Sequence, residues 1–392
     1  MQTILKIGIT FLATTIIFLA GIGTGYALRA YIAQDAPNSA QADNFALYWE
    51  AWNRVEGNFY GDIPPAPQST YGAIRGALAT LNDPYTVFIE PEPAQTEKEH
   101  LDGQFGGIGA YINPREGKIF LDPMPGRPAE AAGIKKDDQL VAVNGITITA
   151  EMTTDEVVKL VKGEVGTKVV LTIERGGQRQ EITVERAVIE TPSVQWRLLD
   201  EDKTIGYIQM SVFTARSNAE LGQALDELAA QGAKKYIFDL RRNGGGLLEA
   251  AVDVASQFLQ DGSVLRENRK NEGEHVYEVR AGGKLLNEPL VLLIDGGTAS
   301  ASEIVGGALQ DHKRATLIGE KSFGKGSVQL IYELSGGSRL HVTVAKWFTP
   351  ENHKIDKEGL HPDIEVLFTQ EDHDKNRDPQ LSRAITFLQT GK

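Results

Sequence analysis

Apolar and polar positions divide the chain into stretches of different period. From Ile7 to Leu28 no charged residue interrupts an apolar run bracketed by Lys6 and Arg29. At about 1.5 Å per residue, this run is long enough to cross a hydrocarbon core of about 30 Å. It exceeds the ~7–15-residue core of a cleaved signal, and Ala27-Leu28-Arg29-Ala30 makes a poor cleavage site. Residues 1–30 are therefore expected to form an uncleaved signal-anchor, with a cleaved signal peptide as the alternative. No second run of that length follows, which places the rest of the chain on one side of a membrane. Residues 44–101 read as a helical region. Phe45, Tyr48, Trp49, Trp52, Val55 and Phe59 recur at helical spacing and predict a packing face. Pro64, Pro65 and Pro67 stop that helix, and Tyr71 to Leu81 predicts a second one, closed by Asn82-Asp83-Pro84.

The period then shortens. Residues 103–187 read as a small β-rich module, opened by Gly103, Gly106, Gly107 and Gly109, with strands at Gly117–Leu121, Gln139–Val143 and Lys168–Glu174. Short helices are expected at Pro128–Ala132 and Thr154–Val161. Residues 188–368 alternate strand, turn and helix: strand Ile205–Gln209, helix Ala219–Gln231, strand Tyr236–Leu240, and a glycine turn followed by a helix to Leu259. Strand Leu290–Ile294 and a helix from about Ala301 to Gln310 come next. This alternation predicts an α/β domain with ligands at the carboxyl ends of its strands. Residues 369–392 read as a charged tail, solvent-facing from Gln370 to Asp378, with a short helix at Gln380–Leu388.

Composition narrows the chemistry. The 392 residues carry 40 basic and 53 acidic side chains, a net charge of −13, which disfavours nucleic acid as a partner. There is no cysteine, so thiol catalysis, Cys-held metals and disulfides are excluded. The seven histidines are scattered and show no HExxH spacing.

The remaining chemistry gathers around Asp295-Gly-Gly-Thr-Ala-Ser-Ala-Ser-Glu-Ile304, between a buried strand and a helix. Ser300 with Glu303 fits a helix-capping box. A strand-to-helix turn is also where a nucleophile gains exposure, backbone N–H donors and a favourable helix dipole. Gly244–Gly246, at a second strand end, can aim another N–H at a developing oxyanion. With no histidine base in view, a lysine is the remaining candidate, and Ser–Lys is a known variant of triad logic. Such a lysine must lose its proton, which burial promotes. Lys325, in Gly319-Glu-Lys-Ser-Phe-Gly-Lys-Gly-Ser-Val-Gln329, lies near Phe323 among glycines, although a lysine there can equally be solvated. The same segment imitates a phosphate-binding P-loop until Gly326 replaces the required Ser or Thr, which argues against nucleotide.

These residues resemble the C-terminal processing peptidases, which are Ser–Lys serine proteases. The resemblance rests on Thr298-Ala-Ser-Ala-Ser-Glu303 with Lys325 and Gln329 after it, and on Asp83-Pro-Tyr-Thr86 and Phe238-Asp-Leu-Arg-Arg-Asn-Gly-Gly-Gly246. It extends to Trp347-Phe-Thr-Pro350 and Gly359-Leu-His-Pro-Asp363. It runs from about Phe45 to Leu388. Two departures are Thr298, where Ser is common, and Glu351-Asn-His-Lys354 in place of a small, Gly-containing turn. The resemblance implies a multidomain α/β protein with a crotonase-like protease core. It also implies Ser300 as nucleophile, Lys325 as general base, Gln329 orienting the lysine, and oxyanion donors at Ala301 and in Gly244–Gly246, with Gly245 favoured. Ser302 stays open as the rival nucleophile. No metal or cofactor is implied.

The module at 103–187 looks like a PDZ domain on Phe105-Gly-Gly-Ile-Gly109, Pro128-Ala-Glu-Ala-Ala-Gly-Ile134, Asp138-Gln-Leu-Val-Ala-Val-Asn-Gly145 and Val158–Gly166. Gly107, Ile108 and Gly109 would hold a chain-end carboxylate while the peptide adds as a strand. Arg127 and Lys162 would engage either that carboxylate or the protease domain. The function so implied is a membrane-tethered endopeptidase that cleaves extracytoplasmic proteins near apolar C-termini, gated by the PDZ module and assembling as a homo-oligomer. Two alternatives remain at this point: an anchored, catalytically idle PDZ adaptor, and crotonase-type acyl-group chemistry.

Overall fold

The computed structural model describes residues 39–270 and 272–392. The expected anchor at 1–30 lies outside the described residues, among which no helix is long and apolar enough to cross a membrane.

The chain divides into two compact units between Ala73 and Ile74. The first holds helix α1 (Ser39–Asn58) and the start of helix α2 (Ala66–Ala79). Pro67 falls in the first turn of α2, where its missing N–H costs nothing, so this helix starts earlier than its apolar spacing suggests. The aromatic stripe on α1 packs on itself: Tyr48 stacks on Trp52 and meets Trp49 edge-on, while Phe45, Trp49 and Val55, with Phe59 just beyond the helix, are exposed.

The second unit begins inside α2 and continues through strand β1 (Val87–Ile89) and helix α3 (Pro91–Asp102). Strands β2 (Gln104–Gly107), β3 (Ala110–Arg115), β4 (Lys118–Pro123), β5 (Asp138–Val143), β6 (Ile146–Thr147), β7 (Lys168–Arg175), β8 (Gln178–Glu185) and β9 (Ala187–Glu190) follow. Helix α4 (Pro128–Ala131) lies between β4 and β5, and α5 (Thr154–Val161) between β6 and β7. The strands pair antiparallel in the order β3-β4-β5-β7-β8, with β6 on β5 and β2 on β9. Leu121, Leu140, Val143, Val157, Leu171 and Ile173 close a core of their own. Thr153 starts α5 with a capping box to Glu156.

The α/β domain is built from β10 (Val194–Leu198), β11 (Ile205–Met210), α6 (Ser217–Ala230), β12 (Lys235–Asp239), α7 (Leu248–Ser256), β13 (Ser263–Arg269), β14 (Gly273–Glu278), β15 (Leu290–Ile294) and α8 (Ala301–Asp311). It continues with β16 (Thr316–Gly319), β17 (Ser327–Glu333), β18 (Arg339–Phe348), β19 (Ile364–Glu365), α9 (Gln370–Asp374) and α10 (Pro379–Thr390). Its central sheet runs β10-β11-β12-β15-β16-β19, parallel from β11 onward. Side chains alternate along these strands. Phe238, Leu290, Leu292 and Ile294 enter the core shared with α6, α7 and α8, whereas Ile237, Val291 and Leu293 face α10 through Ala384 and Leu388. Burial on both faces explains why β15 reads as an unbroken apolar run.

A second, antiparallel sheet runs β1-β18-β13-β14, with β17 on β18. Thus Val87–Ile89, in the stretch expected to be helical, is a strand paired with Arg339–His341. The charged stretch at 370–377 is largely exposed, as expected, whereas Asp378 and the helix after it pack inward. Asp378 caps α10 by accepting from the Leu381 N–H. Together with Gln380 it also accepts from the guanidinium of Arg241, which donates to the buried Asp239 as well.

Candidate active site

Two glycine-bearing turns meet at the carboxyl ends of β12 and β15. Asp295 accepts from the N–H of Arg242 at 2.8 Å and of Gly297 at 2.9 Å, and the Thr298 hydroxyl donates to the Leu240 carbonyl at 2.9 Å. The Asn243 carbonyl accepts from the Ala299 N–H at 3.0 Å and from the Ser302 hydroxyl at 2.8 Å. Glycine at 245 is a matter of space. A Cβ there would lie 2.8 Å from Ser300 Cβ and from the Ala299 carbonyl oxygen. Ser300 sits at the entry to α8 with φ 56° and ψ −116°, a conformation costing a non-glycine residue about 1–3 kcal/mol.

Ser300, Ala301, Lys325 and Gln329 line one cleft of about 220 Å³, walled by Leu247, Ile304, Val328 and Trp347. Ser302 does not reach it; its hydroxyl is wholly buried and committed to Asn243. The two serines are therefore distinguished by orientation, which their spacing left open. The Lys325 amine lies 5.0 Å from the centre of the Tyr85 ring. Burial pushes its pKa below the usual lysine range, opposed by the negative charge of Glu303. No hydrogen bond joins this amine to Ser300 or Gln329 among the described residues. The Gln329 amide nitrogen donates to the hydroxyls of Ser327 at 2.9 Å and Thr343 at 3.1 Å, which turns its oxygen toward other donors.

The glycine turn differs from expectation in one respect. The Gly245 N–H donates to Asn243 Oδ1 at 2.9 Å and is not free for an oxyanion in this state, whereas Gly244 and Gly246 border the cleft. Asn243 is fully buried and also donates to the Met210 carbonyl at 3.0 Å, so it organises the turn from within. Its place beside three glycines hid that role, since turn asparagines are common on conformational grounds alone. Tyr85 was visible only as part of Asp83-Pro-Tyr-Thr86; nothing in its spacing points to an amine roughly 240 positions away.

The chain-end site expected at Gly107, Ile108 and Gly109 is not presented. All three are buried, Gly107 pairs with Ala187 across β2–β9, and Gly109 packs against Arg127. The open space lies alongside, in a cleft of about 860 Å³ between α3 and α5 that Phe105, Gly106, Val158 and Lys162 line. There the Lys162 amine pairs with Glu99 at 3.0 Å and covers the Phe105 ring at 3.9 Å, while Arg127 pairs with Glu190 at 3.7 Å. Asp311, Glu351 and His353 group three possible metal-ligand atoms outside the catalytic cleft. Asp311 already accepts from the Glu351 N–H and bonds the His353 ring, which accounts for the grouping.

Comparison with known proteins identifies the family. The model of peptidase family S41 matches residues 204–366, and that of a PDZ domain matches residues 119–175. The chain is 40% identical over 334 residues to the carboxyl-terminal-processing protease of Synechocystis sp., covering 83% of this chain and 78% of that one. It is 38% identical over 320 residues to the carboxy-terminal processing protease CtpA of Bacillus subtilis, covering 81% and 68%. Among solved structures, the photosystem II D1 C-terminal processing protease is 30% identical with a TM-score of 0.47, over 82% of this chain and 92% of that one. An S41 protease of Bacteroides fragilis shares the fold at 17% identity with a TM-score of 0.51, over 85% and 93%.

Proposed function

The chain belongs to peptidase family S41 as a PDZ-containing carboxyl-terminal-processing serine protease, and on that premise we propose that Ser300 is its nucleophile, Lys325 its general base and Gln329 the residue that orients the base. The observation that carries this assignment is their convergence on a single cleft with Ala301, while Ser302 is buried elsewhere. The neutral Lys325 amine takes the Ser300 hydroxyl proton as Oγ attacks the scissile carbonyl carbon. The tetrahedral oxyanion is met by the Ala301 N–H and by the glycine turn at 244–246, where a donor worth about 10²–10³-fold in kcat is typical. Collapse breaks the C–N bond, and the leaving amine takes the proton from Lys325. Water then attacks the acyl-enzyme, Lys325 accepts its proton, and Ser300 leaves with a proton restored. The parallel strands with turns at their carboxyl ends support reading the core as crotonase-like.

Further parts of the reading rest on the sequence. The Ile7–Leu28 run supports a single-pass tether with the catalytic part on the extracytoplasmic side, or secretion if that run is removed. The aliphatic walls of the cleft support protein or peptide substrates with apolar C-termini, with access governed by the PDZ module. The exposed aromatics of α1 support a homo-oligomer.

Assay of the purified protein on an unfolded substrate with an apolar tail tests the assignment. Ser300→Ala and Lys325→Ala should each lose about 10⁴-fold or more in kcat while remaining folded, and chelators should leave wild-type turnover unchanged. Ser302→Ala should retain turnover; loss there with retention in Ser300→Ala would reverse the choice of nucleophile.

A further inference from the structure

Glu303 is wholly buried at the third residue of α8, and its carboxylate gathers donors from two separate segments. Oε2 accepts from the Ser300 N–H at 2.8 Å and from the Lys325 N–H at 2.9 Å. Oε1 accepts from the Gly324 N–H and the Ser322 hydroxyl, each at 2.6 Å. Ser322 in turn accepts from the Leu360 N–H at 2.6 Å. A glutamate that merely caps a helix needs only the first of these bonds. The other three reach a loop some twenty residues further along the chain, the loop that carries the lysine.

We propose that Glu303 is a positioning residue for proteolysis, one carboxylate that fixes the backbone of the nucleophile and the backbone of the general base at a set spacing. The proposal rests on the assignment of Ser300 and Lys325 made above. The N–H that Glu303 holds at the nucleophile end belongs to the strained residue itself, Ser300 with φ 56°. The buried charge also has a second effect. Burial drives the Lys325 amine toward its neutral form and the Glu303 charge resists, so this residue tempers how easily the base loses its proton.

Glutamine separates this role from simple packing. Its amide has nearly the shape of the carboxylate, yet it offers one acceptor oxygen where two are used, turns an NH2 group toward N–H donors, and carries no charge. Steady-state kinetics of Glu303→Gln, Glu303→Asp and Ser322→Ala across about pH 5–10, with Ser300→Ala and Lys325→Ala alongside, supply the test. Glu303→Gln should lower kcat by about 10²-fold with KM changed by less than about threefold. The limb on which its activity rises with pH should also move to lower pH, because removing a negative charge favours the neutral amine. Glu303→Asp keeps the charge, so its limb should stay near that of wild type although kcat falls. A role in folding alone would lower the melting temperature and leave the limb in place.

A folded Glu303→Gln with kcat within about twofold of wild type, or with an unmoved limb, overturns the proposal. Should that variant not fold, Ser322→Ala decides, since it removes one of the four bonds and leaves the charge. It should lower kcat by about 3–10-fold, and a folded Ser322→Ala with wild-type kcat counts against the proposal. Turnover surviving in Ser300→Ala or Lys325→Ala would instead mean that the site assignment itself is wrong.

Discussion

As the proposed general base, Lys325 has to be neutral to accept a proton and yet sits beside a carboxylate, so its burial decides when it works. Burial outweighs the Glu303 charge and holds the amine below the usual lysine range. The sign of the pH effects follows. Activity should rise with pH as the folded-state amine deprotonates and then level off, and Lys325→Arg, whose side chain stays protonated, should be inactive throughout. Stability runs in the same direction. The unfolded lysine titrates near ~10.4, so between the depressed folded value and that point the unfolded chain binds more protons and folding gains stability as pH rises. Below the folded value the full penalty is present. Lys325→Met should therefore melt higher than wild type at about pH 6, with a difference that shrinks toward about pH 10. Thermal melts of the two proteins at both pH values check this, and a lower melting temperature for Lys325→Met at the acidic value would contradict it.

At the scale of elements, the parts legible in the sequence were those whose burial is simple. Leu290–Ile294 is buried on both faces, and its run of five apolar residues marks it out at once. The hairpin of β13 and β14 was invisible because Glu267, with no exposure at all, sits inside it among Arg269 and Tyr277. The Tyr277 hydroxyl donates to that carboxylate at 2.8 Å, and burial first and this bond second push the phenol up to about 12. A buried charge satisfied by partners two and ten residues away breaks the alternation that announces a strand. Helix α10 was legible, since Leu381, Ala384, Ile385 and Leu388 recur at helical spacing, but the surface it docks on was not. Its docking onto Ile237, Val291 and Leu293 closes the second face of the sheet whose other face packs against α8, the helix that Ser300 opens. Ala384→Asp would bury an unpaired carboxylate there and should cost about 3 kcal/mol or more, a loss readable in denaturant melts. Lys375→Ala, on the exposed run just before it, should stay within about 0.5 kcal/mol of wild type. The site followed the same rule: Ser300 and Lys325 were legible as residue types at strand ends, whereas the contacts of Asn243, Tyr85 and Glu303 around them run between segments distant in sequence.

At the scale of the whole molecule, the PDZ domain and the protease domain belong to one compact unit, yet each closes its own core. Side chains at the border join them through α3, which enters from the protease sheet by way of β1 and leaves into β2 at Gly103. Lys162, at the end of α5, pairs with Glu99 of α3 and lies over Phe105; Lys159, one turn earlier on α5, pairs with Glu92, about two turns earlier on α3. These partners are partly exposed, so the Lys162 contacts together are worth about 1 kcal/mol. That figure predicts a local change. Opening of the PDZ edge against α3 needs only these contacts to break, while the central sheet opens only when the core does. In Lys162→Ala, amide exchange across Gln104–Gly107 and Thr154–Val161 should quicken by about fivefold, and exchange in Leu290–Ile294 should stay as in wild type. High salt should narrow the difference, because it screens the Glu99 pair in wild type and leaves the alanine variant unaffected. Faster exchange in the central strands as well would mean that the two cores open together, and that the PDZ domain could not move over the cleft without loosening the site it serves.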